Sequence, residues 1–157
     1  MTWSVRPLVA ADVDVVCAMF RRSRAAAMPW LPVLHTPEED AHFFTREIET
    51  SASWGADSDG NLLGFALRRD GWLNHLYIDP PSWRSGIGTA LLDLVCAEAT
   101  VELWVFAQNE VARRFYAAHG FAEVERTDGS GNEERASDIR LRRPGLPFIG
   151  TKHVIGM

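Results

Sequence analysis

The chain has few cysteines, no long apolar run and no excess of basic residues among its 157 positions. Its two cysteines, Cys17 and Cys96, match no metal or redox spacing and fall in apolar helical patterns, which predicts reduced core residues in a cytoplasmic protein. The longest apolar runs are far too short to cross a bilayer, and residues 1–10 lack the apolar segment of a signal peptide. The sequence therefore predicts no association with a membrane.

The acidic balance of the chain argues against a nucleic-acid partner. The formal net charge is -5, from 21 acidic and 16 basic side chains. Phosphate binding favours a basic surface, although a local basic patch stays compatible with this charge. The composition, 46% hydrophobic and 24% charged, is that of an ordinary globular protein. The length suits one domain, and no linker or repeat divides residues 1–157.

Hydrophobic periodicity predicts the order strand, two helices, three strands, helix, strand, helix, two strands. We expect strands at 4–8, 52–56, 62–68, 72–78, 101–106, 123–126 and 137–141, and helices at 11–27, 37–50, 109–119 and before about residue 99. Thr36 with Pro37 and Glu39 indicates a capped helix start. The strand at 101–106 is nearly all apolar, which predicts burial on both of its faces. The fourth strand, its helix and this strand form a β-α-β unit with a parallel pair.

The tail at residues 144–157 shows no clear period. Its apolar residues, which include Phe148, Ile149, Val154 and Ile155, have two interpretations. They cover a neighbouring subunit in a homodimer, or they pack on the chain's own sheet.

A glycine turn lies between the fourth strand and the third helix, in the stretch DPPSWRSGIGT at residues 79–89. A helix N-terminus presents unpaired N–H groups and a partial positive charge, and Gly86 and Gly88 let an anion approach it closely. Arg84 adds a charge, and Ser85 and Thr89 add hydroxyl groups, so the turn suits a pyrophosphate. A plain tight turn is the alternative. The stretch is neither a P-loop nor a GxGxxG fingerprint.

Three motifs together resemble the GNAT superfamily of acyl-CoA-dependent N-acyltransferases. The turn at 83–88 resembles the family's Gln/Arg-x-x-Gly-x-Gly/Ala pyrophosphate-binding motif, with Trp83 at the position where Gln or Arg is usual. Residues 76–80 resemble the end of its fourth strand, where a bulge opens and the backbone pairs with pantetheine. Asn109 with the segment at 115–121 resembles its asparagine and tyrosine motif. The resemblance is specific over about 62–141 and looser before that.

The resemblance implies an α/β (α+β) fold: a mixed, mostly antiparallel sheet of about six or seven strands, flanked by four helices. The parallel fourth and fifth strands are splayed to admit CoA. It implies acetyl-CoA as cosubstrate and no metal. The residues expected to bind the cofactor are Leu76, Tyr77, Ile78, Arg84, Ser85, Gly86, Ile87, Gly88, Thr89 and Asn109. For Asn109, helix capping alone is the alternative role.

The resemblance also implies direct transfer, in which an amine attacks the thioester and CoA leaves. Tyr116 matches the family's general acid, and a role in packing alone is the alternative. The family often places a glutamate base on the fourth or fifth strand, but Asn74 and Trp104 occupy those positions here. His75 is the nearest titratable group and the candidate base, against a structural role. His35, His42 and Glu133 are weaker candidates for the base. An acceptor with a low pKa would need no base.

The resemblance places the substrate pocket among the first two helices, their connection and the last hairpin. The candidate substrate residues are Trp30, His35, Asn74 and Glu133, and the same regions contribute Met28, Leu31, Leu34, His42, Phe43, Glu134 and Arg135. Trp30 and Leu31 either pack on the core or form an apolar wall for a small substrate. Glu133 and Glu134 are either solvated charges or a site for a cationic amine.

The leading hypothesis is an N-acetyltransferase that acts on a primary amine of a small molecule or peptide. An acyl-CoA-binding sensor or partner module without turnover is the alternative from another class, motivated by the missing strand glutamate. A domain that binds another nucleotide through the glycine turn is the third. The sequence does not name the acceptor or the acyl chain, and a homodimer is possible.

Overall fold

The computed structural model describes residues 2–97 and 99–145, which form one seven-stranded sheet with helices on both faces. The strands are β1 (Ser4–Arg6), β2 (Ala52–Ser58), β3 (Asn61–Arg69), β4 (Trp72–Ile78), β5 (Val101–Phe106), β6 (Ala122–Thr127) and β7 (Asp138–Arg143). The helices are α1 (Val13–Ala27), α2 (Pro37–Thr50), α3 (Ile87–Val95) and α4 (Glu110–Ala118). The predicted tail falls mostly outside the described residues, at 146–157. No helix in the described part of the chain is long and apolar enough to cross a membrane.

The strand order is β1-β2-β3-β4-β5-β7-β6, and only the central β4–β5 neighbours are parallel. Their ladder consists of one pair, Trp72 with Glu102, next to a hydrogen bond of 2.8 Å from the Glu102 N–H to the Gly71 carbonyl. Beyond this pair the two strands separate, so the edge of β4 that faces β5 lacks a ladder partner. The mixed sheet, the parallel pair and the four helices confirm the predicted fold class.

Two cores pack on the two faces of the sheet. Phe65 and Leu67 of β3 join α1 and α2 through residues such as Phe44, while Ala66 joins the core under α3. This alternation follows from the period of two along a strand. Cys17 and Cys96 are buried and unpaired, one in each core, as expected for reduced core residues.

A bulge on β4 decides which face each of its side chains reaches. Arg68 pairs with Leu73 and Leu67 pairs with His75, so Asn74 is one extra residue on β4. Leu73 lies in the α3 core, whereas the His75 ring contacts the aromatic residues of α1 and α2. Without the extra residue the two side chains would share a face. The bulge thus turns His75 towards α1 and α2.

Local signals set most of the element boundaries. Thr36 caps α2 in a reciprocal capping box with Glu39, as predicted. β1 ends at Arg6, short of the predicted Leu8, because Pro7 has no N–H group to donate to the ladder. α3 ends at Val95, although its apolar pattern predicts a helix to about residue 99. The chain needs the intervening residues to return to the sheet, where Val101 begins β5.

Candidate active site

Gly86 is the N-cap of α3 and has a left-handed backbone, with φ at +87°. A Cβ atom added there would meet nothing within 4 Å, so the space in front of the helix is open. Gly88 lies inside α3, where an added Cβ would touch the Phe115 ring at 3.5 Å, an ordinary contact. Of these two glycines, Gly86 has the left-handed backbone and Gly88 does not. Arg84 is also left-handed, with φ at +62°.

Trp83, the departure from the family pattern, has a structural role in this turn. Its indole N–H donates to the Ile78 carbonyl at 2.7 Å, and the Ser23 hydroxyl donates to the same oxygen at 3.1 Å. Asp79 follows with two hydrogen bonds of 3.1 Å from the Arg22 guanidinium. These contacts join the end of β4 to α1 and hold the glycine turn against the sheet.

The residues predicted to bind the cofactor fall into two groups along the β4–β5 gap. Leu76, Tyr77 and Ile78 belong to β4, and residues 84–89 form the turn and the first residues of α3. Asn109 caps α4 by accepting from the Ala112 N–H at 3.2 Å, which confirms the capping part of its prediction. Its contact with CoA stays a prediction, as do the roles of the other residues.

His119, which sequence reasoning did not single out, supports the start of α3. Its Nε2 lies 3.1 Å from the Thr89 hydroxyl, and its Nδ1 lies 2.7 Å from the Phe115 carbonyl. The ring also stacks on Phe115, with centroids 4.4 Å apart. The contact between His119 and Thr89 could not be predicted from the residues around His119, because Thr89 is distant in the sequence.

Tyr116 packs beside the gap, with its ring centroid 5.3 Å from Phe115 and 5.4 Å from Phe121. Burial raises the pKa of Tyr116 well above its ordinary value, and the neighbouring Tyr77 and Cys96 add to this effect. The phenol is therefore protonated throughout the physiological range, as a proton donor must be. The raised pKa also makes it a weaker acid than an exposed tyrosine.

His75 lies under the two N-terminal helices. Its Nε2 is 3.1 Å from the Glu47 carboxylate, and its ring centroid is 5.0 Å from that of Phe44 and 5.5 Å from that of Phe43. The side chain is 11% exposed, and the buried Nδ1 has no hydrogen-bond partner in the described residues. This geometry favours a structural role for His75. Its role as a base stays a prediction.

Glu47 was missed by sequence reasoning, although it is buried and central to this region. It accepts hydrogen bonds from Arg69 at 2.9 Å and from His75, and these bonds hold the pKa of Glu47 below its ordinary value. The only signal for it was position: Glu47 follows Phe44 by three residues, on the inner face of α2. A glutamate on an amphipathic helix usually lies on the solvated face, so the sequence offered no reason to expect Glu47 to be buried.

Two cavities flank the region predicted to bind the acceptor. One of about 470 Å³ lies between α1 and the α1–α2 connection, with Arg24, Met28, Leu31, His35 and Glu134 in its lining. The other, of about 690 Å³, lies on the open face of β5 and the β6–β7 connection, with Trp104, Glu125, Asn132, Glu134 and Asp138 in its lining. Glu134 lines both cavities.

β5 is not buried on both faces, contrary to the prediction from its apolar sequence. Val101, Leu103 and Val105 are buried, but Trp104 on the other face is 44% exposed. The reason is that α1 and α2 cover only the β1–β4 half of the sheet. The open face borders the larger cavity.

The predicted substrate residues lie in different surroundings. Trp30 packs edge-to-face on Phe106 of β5, with centroids 5.9 Å apart, and His35 Nε2 lies 2.7 Å from Glu133. These contacts join the α1–α2 connection to β5 and to the β6–β7 connection, and the bond to Glu133 raises the pKa of His35. Asn74 is an exposed residue at the β4 bulge. The structure thus pairs His35 with Glu133, places Trp30 against β5 and leaves Asn74 apart.

Arg24, at the end of α1, forms a second link to the β6–β7 connection. Its guanidinium lies 5.0 Å from the Phe20 ring centroid and 3.9 Å from the Glu134 carboxylate. Burial raises the pKa of Tyr77, and the charges of Arg24 and Glu134 act on it in opposite senses, Arg24 lowering it and Glu134 raising it. Arg24 and Glu134 are thus the two charged side chains that influence the Tyr77 phenol.

Solved structures share this fold at low sequence identity. The apo form of YjaB from Escherichia coli is 23% identical, with a TM-score of 0.75 over 93% of this chain and 100% of YjaB. The PaiA N-acetyltransferase from Thermoplasma acidophilum, in complex with coenzyme A, is 23% identical, with a TM-score of 0.75 over 92% of this chain and 99% of its own. The ribosomal-protein-S18-alanine N-acetyltransferase from Escherichia coli is 20% identical, with a TM-score of 0.74 over 93% and 96%.

None of the curated proteins matches the chain. The family comparison does: residues 19–121, about two thirds of the sequence, match the model of the acetyltransferase (GNAT) family. The matched region runs from within α1 to the residue before β6 and includes the glycine turn, the β4–β5 gap and Tyr116. The chain belongs to the GNAT acetyltransferase family.

Proposed function

We propose that the protein is an N-acetyltransferase that transfers the acetyl group of acetyl-CoA to a primary amine of a small molecule or peptide. The observation that carries the proposal is the open, left-handed Gly86 at the start of α3, directly beside the splayed end of β4. Acetyl-CoA supplies the acetyl group as a thioester. The residues of the chain bind it, orient it and move protons around it.

The start of α3 suits the pyrophosphate because the unpaired N–H groups of a helix N-terminus attract anions. Arg84 adds a positive charge, and the open space at Gly86 leaves room for the phosphates. The unpaired edge of β4, at residues 76–78, suits the pantetheine arm, whose amides pair with a free strand edge as an added strand would. Its N–H groups also suit polarisation of the thioester oxygen.

Tyr116 is the proposed acid that protonates the departing CoA thiolate. It packs against the core under α3 and is protonated at neutral pH, since burial raises its pKa. A thiolate has a conjugate-acid pKa near 8.5, so a phenol with a raised pKa donates its proton at an energetic cost. Close positioning of the donor offsets part of that cost.

Binding of acetyl-CoA tests the cofactor site directly. Calorimetric titration of the wild type is expected to give micromolar affinity, and Gly86→Glu is expected to abolish it by placing bulk and negative charge where the pyrophosphate lies. Gly60→Glu is the matched control, because Gly60 in the β2–β3 turn has φ at +85° and the same open space. Equal loss in both variants, or no binding by a folded wild type, would refute the proposed cofactor site.

A further inference from the structure

The strands that border the gap hold no free base within residues 2–97 and 99–145. Asn74 and Trp104 carry no titratable group, and the Glu102 carboxylate of β5 accepts from Arg140 at 2.5 Å. His75 is hydrogen-bonded to Glu47 and covered by aromatic rings. A base that reaches the acceptor amine has to come from another element.

Glu134 is a carboxylate in the right place, on the connection between β6 and β7. Its side chain is 18% exposed and lines both cavities. The guanidinium of Arg24 is 3.9 Å away, beyond hydrogen-bond distance, so this ion pair leaves the carboxylate oxygens open to another donor. An ammonium or amine in either cavity can reach it.

The other carboxylates that line these cavities are already engaged. Asp40 accepts from Arg21 at 2.5 Å, Glu125 accepts from Arg140 at 3.0 Å, and Asp138 accepts from Asn132 at 3.0 Å and from Thr127. Each of these groups would have to break a hydrogen bond with a charged or buried partner before it could accept a proton. Glu134 differs from all three because its ion pair with Arg24, at 3.9 Å, is too long to be a hydrogen bond.

The connection that carries Glu134 is held by its own hydrogen bonds. The Asn132 side chain donates to the Ala136 carbonyl at 2.8 Å and accepts from the Ala136 N–H at 3.2 Å. Gly129, with φ at +86°, lets the Ala136 backbone pack against it. A carboxylate presented by such a loop loses little conformational entropy when it binds a substrate.

The contacts of Arg24 relate Glu134 to the proposed cofactor site. Glu134 pairs with Arg24, whose guanidinium lies 5.0 Å from the Phe20 ring centroid. The Phe20 centroid lies 5.2 Å from that of Tyr77, a β4 residue proposed to bind the pantetheine arm. An amine beside Glu134 is therefore close to the strand along which the thioester is proposed to bind.

We infer that Glu134 is the general base of the reaction and the group that orients the acceptor amine. This inference rests on the proposed function. As the nitrogen–carbon bond forms, the nitrogen becomes acidic and passes a proton to the Glu134 carboxylate. The carbon–sulfur bond breaks, the thiolate takes the Tyr116 proton, and the proton on Glu134 returns to Tyr116 through solvent. The net reaction is amine plus acetyl-CoA to amide plus CoA.

Chemical rescue tests the role of Glu134. Free-thiol release is measured with n-propylamine, 1,3-diaminopropane and the dipeptide Ala-Gly as acceptors. Glu134→Ala is expected to lower kcat/KM about 100-fold, as for loss of a general base, and to keep the affinity for acetyl-CoA. Formate should restore part of the rate, and acetate, the stronger base, should restore more. Glu123→Ala is the matched control, because Glu123 is 43% exposed on β6, pairs with Arg126 and lines neither cavity.

The outcomes separate this inference from the proposed function. Rescue that rises from formate to acetate, with Glu123→Ala close to wild type, supports Glu134 as the base. An unimpaired Glu134→Ala, equal losses in the two variants, or rescue independent of the basicity of the anion would overturn the inference and leave the proposed function standing. A wild type that binds acetyl-CoA but acetylates none of the three amines would refute both.

Discussion

The two tyrosines of the chain, Tyr77 and Tyr116, show how position decides the chemistry of a side chain. Burial raises the pKa of both, but they contact different partners. Tyr77 faces α1 and the Arg24–Glu134 pair, whereas Tyr116 lies on α4 against Phe115 and Phe121. Tyr116 matches the tyrosine of the family's asparagine and tyrosine motif, whereas Tyr77 belongs to the segment that resembles the end of the family's fourth strand. The partners of neither ring were visible in the sequence.

Removal of the Tyr116 hydroxyl is expected to separate binding from turnover. Tyr116→Phe retains the ring contacts, so its melting temperature and its affinity for acetyl-CoA should stay close to those of the wild type. CoA release should fall by about 100-fold or more, because the thiolate loses its proton donor. Unchanged CoA release would refute the acid assignment. A wild type that binds acetyl-CoA and releases no CoA with any amine would favour the sensor hypothesis.

At the scale of elements, the sequence predicted the starts of helices better than it predicted contacts between distant residues. Thr36 and Asn109 cap their helices as predicted, because a cap depends on residues three or four apart. The predictions of a longer α3 and of a β5 buried on both faces were wrong. The first depends on where the chain returns to the sheet, and the second on which strands the helices cover. The pairs His75–Glu47 and His35–Glu133 join residues 28 and 98 positions apart, for which one sequence carries no signal.

Glu47, together with its partners His75 and Arg69, joins α2 to β4 and β3. This cluster predicts a pH dependence of the free energy of unfolding. The pKa of Glu47 is depressed by His75 and Arg69, so its contribution is present above the unfolded pKa of about 4.3 and is lost as the pH falls through the folded value. Glu47→Gln should lower the free energy of unfolding by about 2 kcal/mol at pH 7, because hydrogen bonds to a charged group are lost. Below the folded pKa of Glu47 the variant and the wild type should converge.

Thermal unfolding between pH 3 and pH 7 measures this difference. Glu49→Gln is the matched control, since Glu49 lies on the same helix and is exposed. Similar effects of both substitutions, or a difference from wild type that does not shrink as the pH falls from 7 to 3, would show that the Glu47 carboxylate does not supply the stability assigned to it.

At the scale of the whole molecule, the sheet consists of two halves joined weakly at the centre. β1–β4 and β5–β7–β6 share one ladder pair, Trp72 with Glu102, together with packing under α3. The family resemblance implied this splay. The open face of β5 and the position of Glu134 follow from the way the two halves meet, and no local pattern encodes that arrangement.

A ligand that spans the gap should therefore stabilise both halves at once. Acetyl-CoA at 100 times its Kd should add about 2.7 kcal/mol to the free energy of unfolding. Hydrogen exchange should slow at the edge of β4 (residues 76–78) and at the start of α3 (residues 86–89), with little change in β1. Adenosine 3′,5′-bisphosphate, which lacks the pantetheine arm, should at most protect the start of α3. Equal protection of β4 by the two ligands would mean that the strand edge responds to closure of the turn, and that pantetheine does not pair with it.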